Sequence, residues 1–107
     1  MSTVNTLNES QFESEILNYN GVAAVKFWAT WCVPCKGLAP VFEAVAADAD
    51  SSVRFFECDV DENPNLASGF YIRSVPVVIF FKNGEEVDRL VGPFDQEVYE
   101  EKIASLL

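Results

Sequence analysis

The stretch "VAAVKFWATWCVPCK", residues 22–36, joins a nearly continuous apolar run to two cysteines that are separated by two residues. An apolar run of this length predicts a buried β-strand. Cys32 and Cys35 then open a segment whose apolar side chains recur at helical spacing, which predicts a helix that begins at the cysteines. Lys26 is the one charged residue within this apolar run, six residues before Cys32.

Further strands are predicted on the C-terminal side of this stretch. "VRFFECDV" (53–60) has the composition of a second buried strand. "VPVVIFF" (75–81) and "EEVDRLV" (85–91) flank Asn83-Gly84, the strongest short-range signal for a β-hairpin. Strands that alternate with helices predict one α/β domain over residues 1–107, with a central mixed sheet flanked by helices.

Three more helices are predicted from their N-terminal signals. Asn8, with Gln11 three residues later, caps the first, and Leu7 and Phe12 form its hydrophobic staple. Asn63 precedes a proline at the first position of a short helix, and Asp95 caps a terminal helix. In the helix that follows the cysteines, Pro40 removes one backbone hydrogen bond and is expected to kink it.

Composition narrows the possible partners and the compartment. Seventeen acidic and seven basic residues give a net charge of −10, so we expect neither nucleic acid nor anionic membranes to be bound. The N-terminal segment lacks the pattern of a signal peptide, and no apolar run is long enough to span a bilayer. We therefore expect a cytoplasmic monomer, and in the cytosol a close cysteine pair is catalytic or metal-binding more often than structural.

The spacing and position of the cysteines indicate redox chemistry. Cys32 and Cys35 share one face of the predicted helix, with Cβ atoms about 5–6 Å apart, near enough for a disulfide after small adjustment. The helix N-terminus stabilises negative charge and lowers the pKa of the first thiol. Cys32 is therefore expected to be the exposed nucleophile and Cys35 the thiol that resolves the mixed disulfide.

The cysteine pair has two other interpretations. A zinc site needs four ligands, and this chain has three cysteines and no histidine, so we expect neither metal nor cofactor. The two cysteines could instead be inert core residues, but Trp31 and Pro34 beside them are typical of an exposed junction. Cys58 lies in a predicted buried strand, where a free cysteine behaves as a small hydrophobic residue.

Several separated motifs together resemble the thioredoxin family. "FWATWCVPCK", "IRSVP", "FKNG" and the region of Gly92 occur in the family's order over nearly the whole chain. The resemblance implies the thioredoxin fold and a protein-disulfide reductase that is recharged by thioredoxin reductase and reduces disulfides in client proteins.

The resemblance also implies a surface for client docking. Pro76 would be cis and face the cysteines, Val75 would offer backbone hydrogen bonds, and Trp31, Pro34 and Gly92 would complete a shallow apolar surface. The alternative for Pro76 is a simple edge-strand proline. Val33 stands where the family usually has glycine. Because Val33 and Pro34 would tune the reduction potential of the cysteine pair, the resemblance does not fix its value. Val77 stands where the family commonly has threonine.

The largest departure from the family is Lys26. Thioredoxins usually carry a buried aspartate there, thought to accept the proton of the resolving cysteine, and often a lysine at the position of Glu57. In this chain the two charges are exchanged, with the lysine at position 26 and the carboxylate at position 57. We expect Lys26 to pair with Glu57, which would accept the proton of Cys35 through a water, and we expect Lys26 to tune the thiol pKa by stabilising the thiolate directly. The alternative is that Lys26 extends to solvent and Glu57 is merely exposed.

Two other functions remain open at the level of sequence. A dithiol oxidant or isomerase would typically carry a histidine between the cysteines, which is absent here. A binding or chaperone module would keep the fold but would not catalyse disulfide reduction. The presence of both cysteines argues against this function.

Overall fold

The computed structural model of this protein describes residues 2–107. Its sheet has five strands in the order β1-β3-β2-β4-β5. The strands are β1 (Val4–Thr6), β2 (Val22–Trp28), β3 (Arg54–Asp59), β4 (Val77–Lys82) and β5 (Glu85–Val91), and the α-helices are α1 (Val33–Asp48), α2 (Pro64–Gly69) and α3 (Gln96–Leu106). The expected mixed sheet flanked by helices is confirmed.

Strand β2 lies at the centre of the sheet and brings distant residues together. It pairs in parallel with β3 and antiparallel with β4, and in the first pairing Lys26 is directly opposite Glu57. Strand β1 extends the parallel part beyond β3, and β5 extends the antiparallel part beyond β4. The register therefore places two residues that are far apart in sequence side by side.

Both faces of the sheet are covered by apolar side chains. One face packs against α1 and α3 through residues such as Phe42, Phe55 and Tyr99. The other face packs against the segment before β2 and the region of α2, through Leu7, Ile16 and the interior of β4. Burial on both faces explains why β2 and β4 are continuous apolar runs rather than alternating ones.

The N-terminal region departs from the sequence-based prediction in two ways. Strand β1 was not predicted, because three residues are too few for a local pattern and its partner, β3, lies about fifty residues away. The predicted first helix is a 3-10 turn (Glu9–Gln11) followed by a π-helical turn (Glu13–Leu17). The Glu15 carbonyl accepts a hydrogen bond from the Arg54 guanidinium, and the Tyr19 N–H bonds to Ile16, so a regular α-helical ladder does not form.

Two predicted N-caps are also corrected. Asn63 precedes α2 as expected, but its side-chain oxygen accepts from the Glu9 N–H. The Glu9 carboxylate accepts from the N–H groups of Asn65 and Leu66 and supplies the cap instead. At α3 the Asp95 side chain makes no capping hydrogen bond. Tertiary contacts supplied the α2 cap that the local sequence pattern assigned to Asn63.

The predicted hairpin is confirmed. Asn83 and Gly84 both have positive φ, 53° and 83°, and they join β4 to β5. The positive φ at both central residues is the requirement of a type I′ turn, which matches the twist of the two strands. Among residues 2–107, no helix is long and apolar enough to cross a membrane.

Candidate redox site

Cys32 and Cys35 form a disulfide at the N-terminus of α1. Their Cα atoms are 5.3 Å apart, which is within the usual range for a disulfide. Cys32 is the residue that caps the helix, and its sulfur accepts the Cys35 N–H at 3.2 Å. A backbone donor thus points at the sulfur of the first cysteine, where the thiolate would form on reduction.

The exposure of Cys32 corrects the sequence-based prediction. We expected an exposed nucleophile, but in the disulfide form Cys32 is 4% exposed and Cys35 3%. The disulfide packs with Ala29 against Trp28, Val60 and Val75. Trp31 and Pro34, in contrast, are exposed as expected, so the junction is open although its sulfur atoms are covered.

The loop before β4 faces the disulfide. The Val75–Pro76 peptide bond is cis, as the family resemblance implies. The Val75 carbonyl lies 3.5 Å from Cys32 Sγ, where a reduced thiol could donate to it. The Gly92 N–H donates to the Pro76 carbonyl at 2.9 Å. Pro76 precedes an interior strand, so the alternative of a simple edge-strand proline is wrong.

Trp31 is anchored at one end although its ring is 67% exposed. Its indole N–H donates to Asp61 Oδ2 at 2.9 Å. Val33, between the cysteines, is 73% exposed. Asp61 was not predicted from the sequence. It lies in the turn after β3, and only the pairing of β2 with β3 brings that turn next to Trp31.

Lys26 is buried and paired. Only 3% of it is exposed, and its Nζ lies 3.7 Å from Glu57 Oε2 and 5.5 Å from the centre of the Phe42 ring. The expected pairing with Glu57 is therefore present, and the alternative in which Lys26 extends to solvent is wrong. Burial lowers the pKa of Lys26, and the nearby Glu57 opposes that shift.

The ion pair and the resolving cysteine line one cavity. Its volume is about 180 Å³, and it is lined by Lys26, Trp28, Cys35, Lys36, Ala39 and Glu57. Among the described residues, Glu57 is the only carboxylate in that lining. The Trp28 Nε1 is buried and has no hydrogen-bond partner within the described chain.

Cys58, the remaining cysteine, is fully buried on the face of the sheet opposite α1. Burial raises the pKa of its thiol to about 12, and Asp59 adds to the shift. A thiol with this pKa is almost entirely protonated at neutral pH and is unreactive. The expectation of a buried Cys58 is confirmed.

A disulfide formed across two residues at a helix N-terminus, facing a cis-proline in an α/β fold, defines a thiol-disulfide oxidoreductase. The Thioredoxin family profile matches residues 3–105. This chain belongs to the thioredoxin family, whose members are protein-disulfide oxidoreductases.

Named relatives and solved structures agree with this membership. The chain is 48% identical to a thioredoxin of Staphylococcus saprophyticus and 44% identical to one of Staphylococcus aureus, each match covering 80% of this chain and 81% of the relative. A mutant thioredoxin from Halobacterium salinarum superposes with a TM-score of 0.89 at 31% identity, covering 99% of this chain and 94% of that one. The thioredoxin of Malassezia sympodialis gives 0.84 at 35% identity, covering 99% and 92%.

Proposed function

We propose that this chain is a cytoplasmic dithiol reductase in which Cys32 attacks and Cys35 resolves. The assignment of Cys32 as the attacking thiol rests on the Cys35 N–H, which points at Cys32 Sγ and stabilises a thiolate at that sulfur alone. The Cys32 thiolate forms a bond to one client sulfur, the client disulfide breaks, and one client thiolate leaves. Deprotonated Cys35 then attacks Cys32 Sγ, the bond to the client breaks, and a second client thiolate leaves, so two electrons have passed to the client.

The client docks on an apolar surface around the disulfide. Trp31 and Pro34 are exposed, the Val75 carbonyl lies 3.5 Å from Cys32 Sγ, and the Gly92 N–H donates to the carbonyl of Pro76, which is itself buried. The Val75 carbonyl binds the client backbone next to the nucleophile. Thioredoxin reductase returns the disulfide to the dithiol, and Val33 and Pro34 tune the reduction potential through the local environment of the thiolate.

Glu57 accepts the Cys35 proton. Among residues 2–107 it is the one carboxylate that lines the cavity together with Cys35, and Lys26 holds it there. A water in this cavity would connect the Cys35 thiol to Glu57. Lys36 and Glu43 on α1 also contribute charge near the pair, so any test has to separate their effects from that of Glu57.

A single-turnover reaction with Ellman's reagent tests the roles of the cysteines. The reduced protein is expected to release thionitrobenzoate in two phases, one for attack by Cys32 and one for resolution by Cys35. Cys32→Ser should abolish both phases, and Cys35→Ser should retain the first and stop at the mixed disulfide. Release that persists in Cys32→Ser would contradict the assignment. Measuring the reduction potential then distinguishes a reductant from an oxidant.

The pH dependence of the second phase tests Glu57. Glu57→Gln should slow that phase roughly tenfold or more near neutral pH, since positioned bases contribute at least this much. The deficit should narrow as the pH rises, because more Cys35 is then ionised without help. Glu43→Gln removes an exposed carboxylate near Lys26 but outside the cavity and is the matched control. Equal slowing of both phases in Glu57→Gln, or the same loss of second-phase rate in Glu57→Gln and Glu43→Gln, would contradict the role of Glu57.

A further inference from the structure

We propose that Tyr99 is a positioning residue for client reduction: its hydroxyl ties the loop after β5 to α3 and thereby holds part of the client-docking surface in place. This role rests on the docking of clients around Cys32 proposed above and adds a residue that lies outside the docking surface. Tyr99 is in the first turn of α3 and is 0% exposed. It therefore acts only through the groups that it contacts inside the protein.

The Tyr99 hydroxyl binds two backbone groups of the loop formed by residues 92–95. It accepts a hydrogen bond from the Phe94 N–H at 3.2 Å and donates one to the Gly92 carbonyl at 3.5 Å. A phenolic hydroxyl can do both at once, because it has one proton and free lone pairs. Pro93, between the two, has no N–H to donate. Among the described residues, neither the Phe94 N–H nor the Gly92 carbonyl has another hydrogen-bond partner.

The loop in turn contacts the segment that faces the disulfide. The Gly92 N–H donates to the Pro76 carbonyl at 2.9 Å, and the neighbouring Val75 carbonyl lies 3.5 Å from Cys32 Sγ. Gly92 has a φ of 91° and carries no side chain of its own to hold it. Its orientation depends on the hydrogen bonds on its two sides, one to Pro76 and one to Tyr99. Loss of the bond to Tyr99 would therefore loosen the contact with the segment next to the nucleophile.

The ring of Tyr99 is held in place independently of its hydroxyl. It packs edge-on against the Phe42 ring, with 6.5 Å between the ring centres, and against the Phe94 ring at 6.4 Å. Tyr99→Phe therefore keeps the apolar packing and breaks only the two hydrogen bonds to the loop. The loop then loses its attachment to α3, while the cysteines at the start of α1 keep their surroundings.

Tyr19 offers a matched control. Its hydroxyl donates to the Ser52 carbonyl, and the Arg54 guanidinium lies over its ring, 3.8 Å from the ring centre. Ser52 precedes β3, whereas Cys32 follows the C-terminal end of β2. Because β2 and β3 are parallel, these two positions are at opposite ends of the sheet. Tyr19→Phe thus removes a tyrosine hydroxyl bound to the backbone far from the redox site.

Two disulfide probes separate docking from chemistry. Insulin is a protein disulfide whose reduction needs docking, whereas Ellman's reagent is a small disulfide that reacts at Cys32 without it. Tyr99→Phe should lower the second-order rate constant with insulin about fivefold, the effect of one hydrogen bond that no longer orders the surface. Its rate constant with Ellman's reagent should not change, and Tyr19→Phe should change neither. Urea unfolding shows that both variants are folded in the assay, where a lower global stability by itself alters neither rate constant.

Amide hydrogen exchange measures the attachment of the loop directly. In Tyr99→Phe the amide protons of Gly92 and Phe94 should exchange severalfold faster than in the native protein, because the loop opens more often. In Tyr19→Phe both exchange rates should stay at the native values. Unchanged exchange in Tyr99→Phe would show that other contacts hold the loop and would overturn the proposal.

Three kinetic results would also contradict this role of Tyr99. The first is a native rate constant with insulin in Tyr99→Phe. The second is an equal drop with insulin and with Ellman's reagent, which would place the effect at the cysteines. The third is a comparable drop with insulin in Tyr19→Phe, which would assign the loss to general destabilisation. Failure of the proposed redox function is separate, because the native protein would then reduce neither probe.

Discussion

At the residue scale, the central strand accommodates one buried charge without a change of fold. Lys26 lies in a central strand with its Nζ 3.7 Å from Glu57, and its burial would be costly without that partner. Two unit charges at this separation attract by about 4 kcal/mol at an effective dielectric near 20. Desolvation of the lysine offsets much of that attraction. The pair is therefore better understood as a device that holds a carboxylate near Cys35 than as a source of stability.

Exchanging the two charges tests the pair. Lys26→Asp places two carboxylates side by side and should lower the free energy of unfolding by about 3–5 kcal/mol, as for other broken buried pairs. Adding Glu57→Lys should restore most of that loss, because opposite charges then face each other again. Urea unfolding of the two single variants and the double variant measures the coupling. Simply additive losses would show that the two side chains do not interact.

Cys58 makes stability depend on alkaline pH. Its pKa is raised from 9.0 to about 12 by folding, so the folded state retains a proton that the unfolded state loses above pH 9. The contribution is fully present below pH 9 and declines as the pH rises toward 12, by up to about 1.4 kcal/mol per pH unit. The free energy of unfolding, measured by urea between pH 8 and 11, should therefore fall more steeply in the native protein than in Cys58→Ala. Tyr99 and Lys26 titrate in both proteins, so parallel curves would contradict this assignment.

At the scale of elements, turns and helix ends carry the backbone requirements of the fold. Gly84 has a φ of 83°, and a Cβ there would overlap the Leu17 carbonyl oxygen. Gly37 lies inside α1, where a Cβ would meet no atom within 4 Å. The hairpin thus requires glycine at one position, whereas the helix only tolerates it at the other.

Alanine at these two glycines should have opposite effects. Gly84→Ala should lower the free energy of unfolding by roughly 1–3 kcal/mol, since both the backbone conformation and the close approach oppose it. Gly37→Ala should raise it by about 0.5–1 kcal/mol through helix propensity. Thermal and urea unfolding of the oxidised proteins measure both. A neutral Gly84→Ala would mean that the hairpin moves away from Leu17 without cost.

At the scale of the whole molecule, the charge of −10 acts on every part of the surface. Acidic side chains repel one another in the compact state more than in the expanded one. Added salt screens that repulsion, with a Debye length of about 10 Å at 0.1 M and about 3 Å at 1 M. Stability should therefore increase with ionic strength.

Melting in sodium chloride checks this effect. Raising the salt from about 0.01 M to 0.5 M should raise the Tm by several degrees, since one kcal/mol corresponds to about 4–8 °C in a domain of this size. Replacing the exposed residues Glu62, Glu85, Glu97 and Glu101 by glutamine should shrink the gain. An undiminished gain in that variant would point to a general salt effect on apolar burial rather than to charge repulsion.

Local patterns predicted most elements of the sheet. The strands β2, β3, β4 and β5 and the hairpin were expected, because apolar runs and Asn83-Gly84 encode them in adjacent residues. Strand β1, the π-helical turn and the cap that Glu9 supplies to α2 were not, because each depends on a partner about forty to sixty residues away.

The sequence by itself determined the pair Cys32 and Cys35, their place at a helix N-terminus and, through resemblance, the thioredoxin family. These features depend on neighbouring residues, whose geometry follows from the local chain. The sequence predicted the pairing of Lys26 with Glu57 and left an extended lysine as the alternative, and the tertiary structure decided between them. Only the tertiary structure showed that Asp61 holds Trp31 and that Cys32 is covered in the disulfide form. Burial and pairing across strands depend on which segments the sheet brings together, and no local pattern states that.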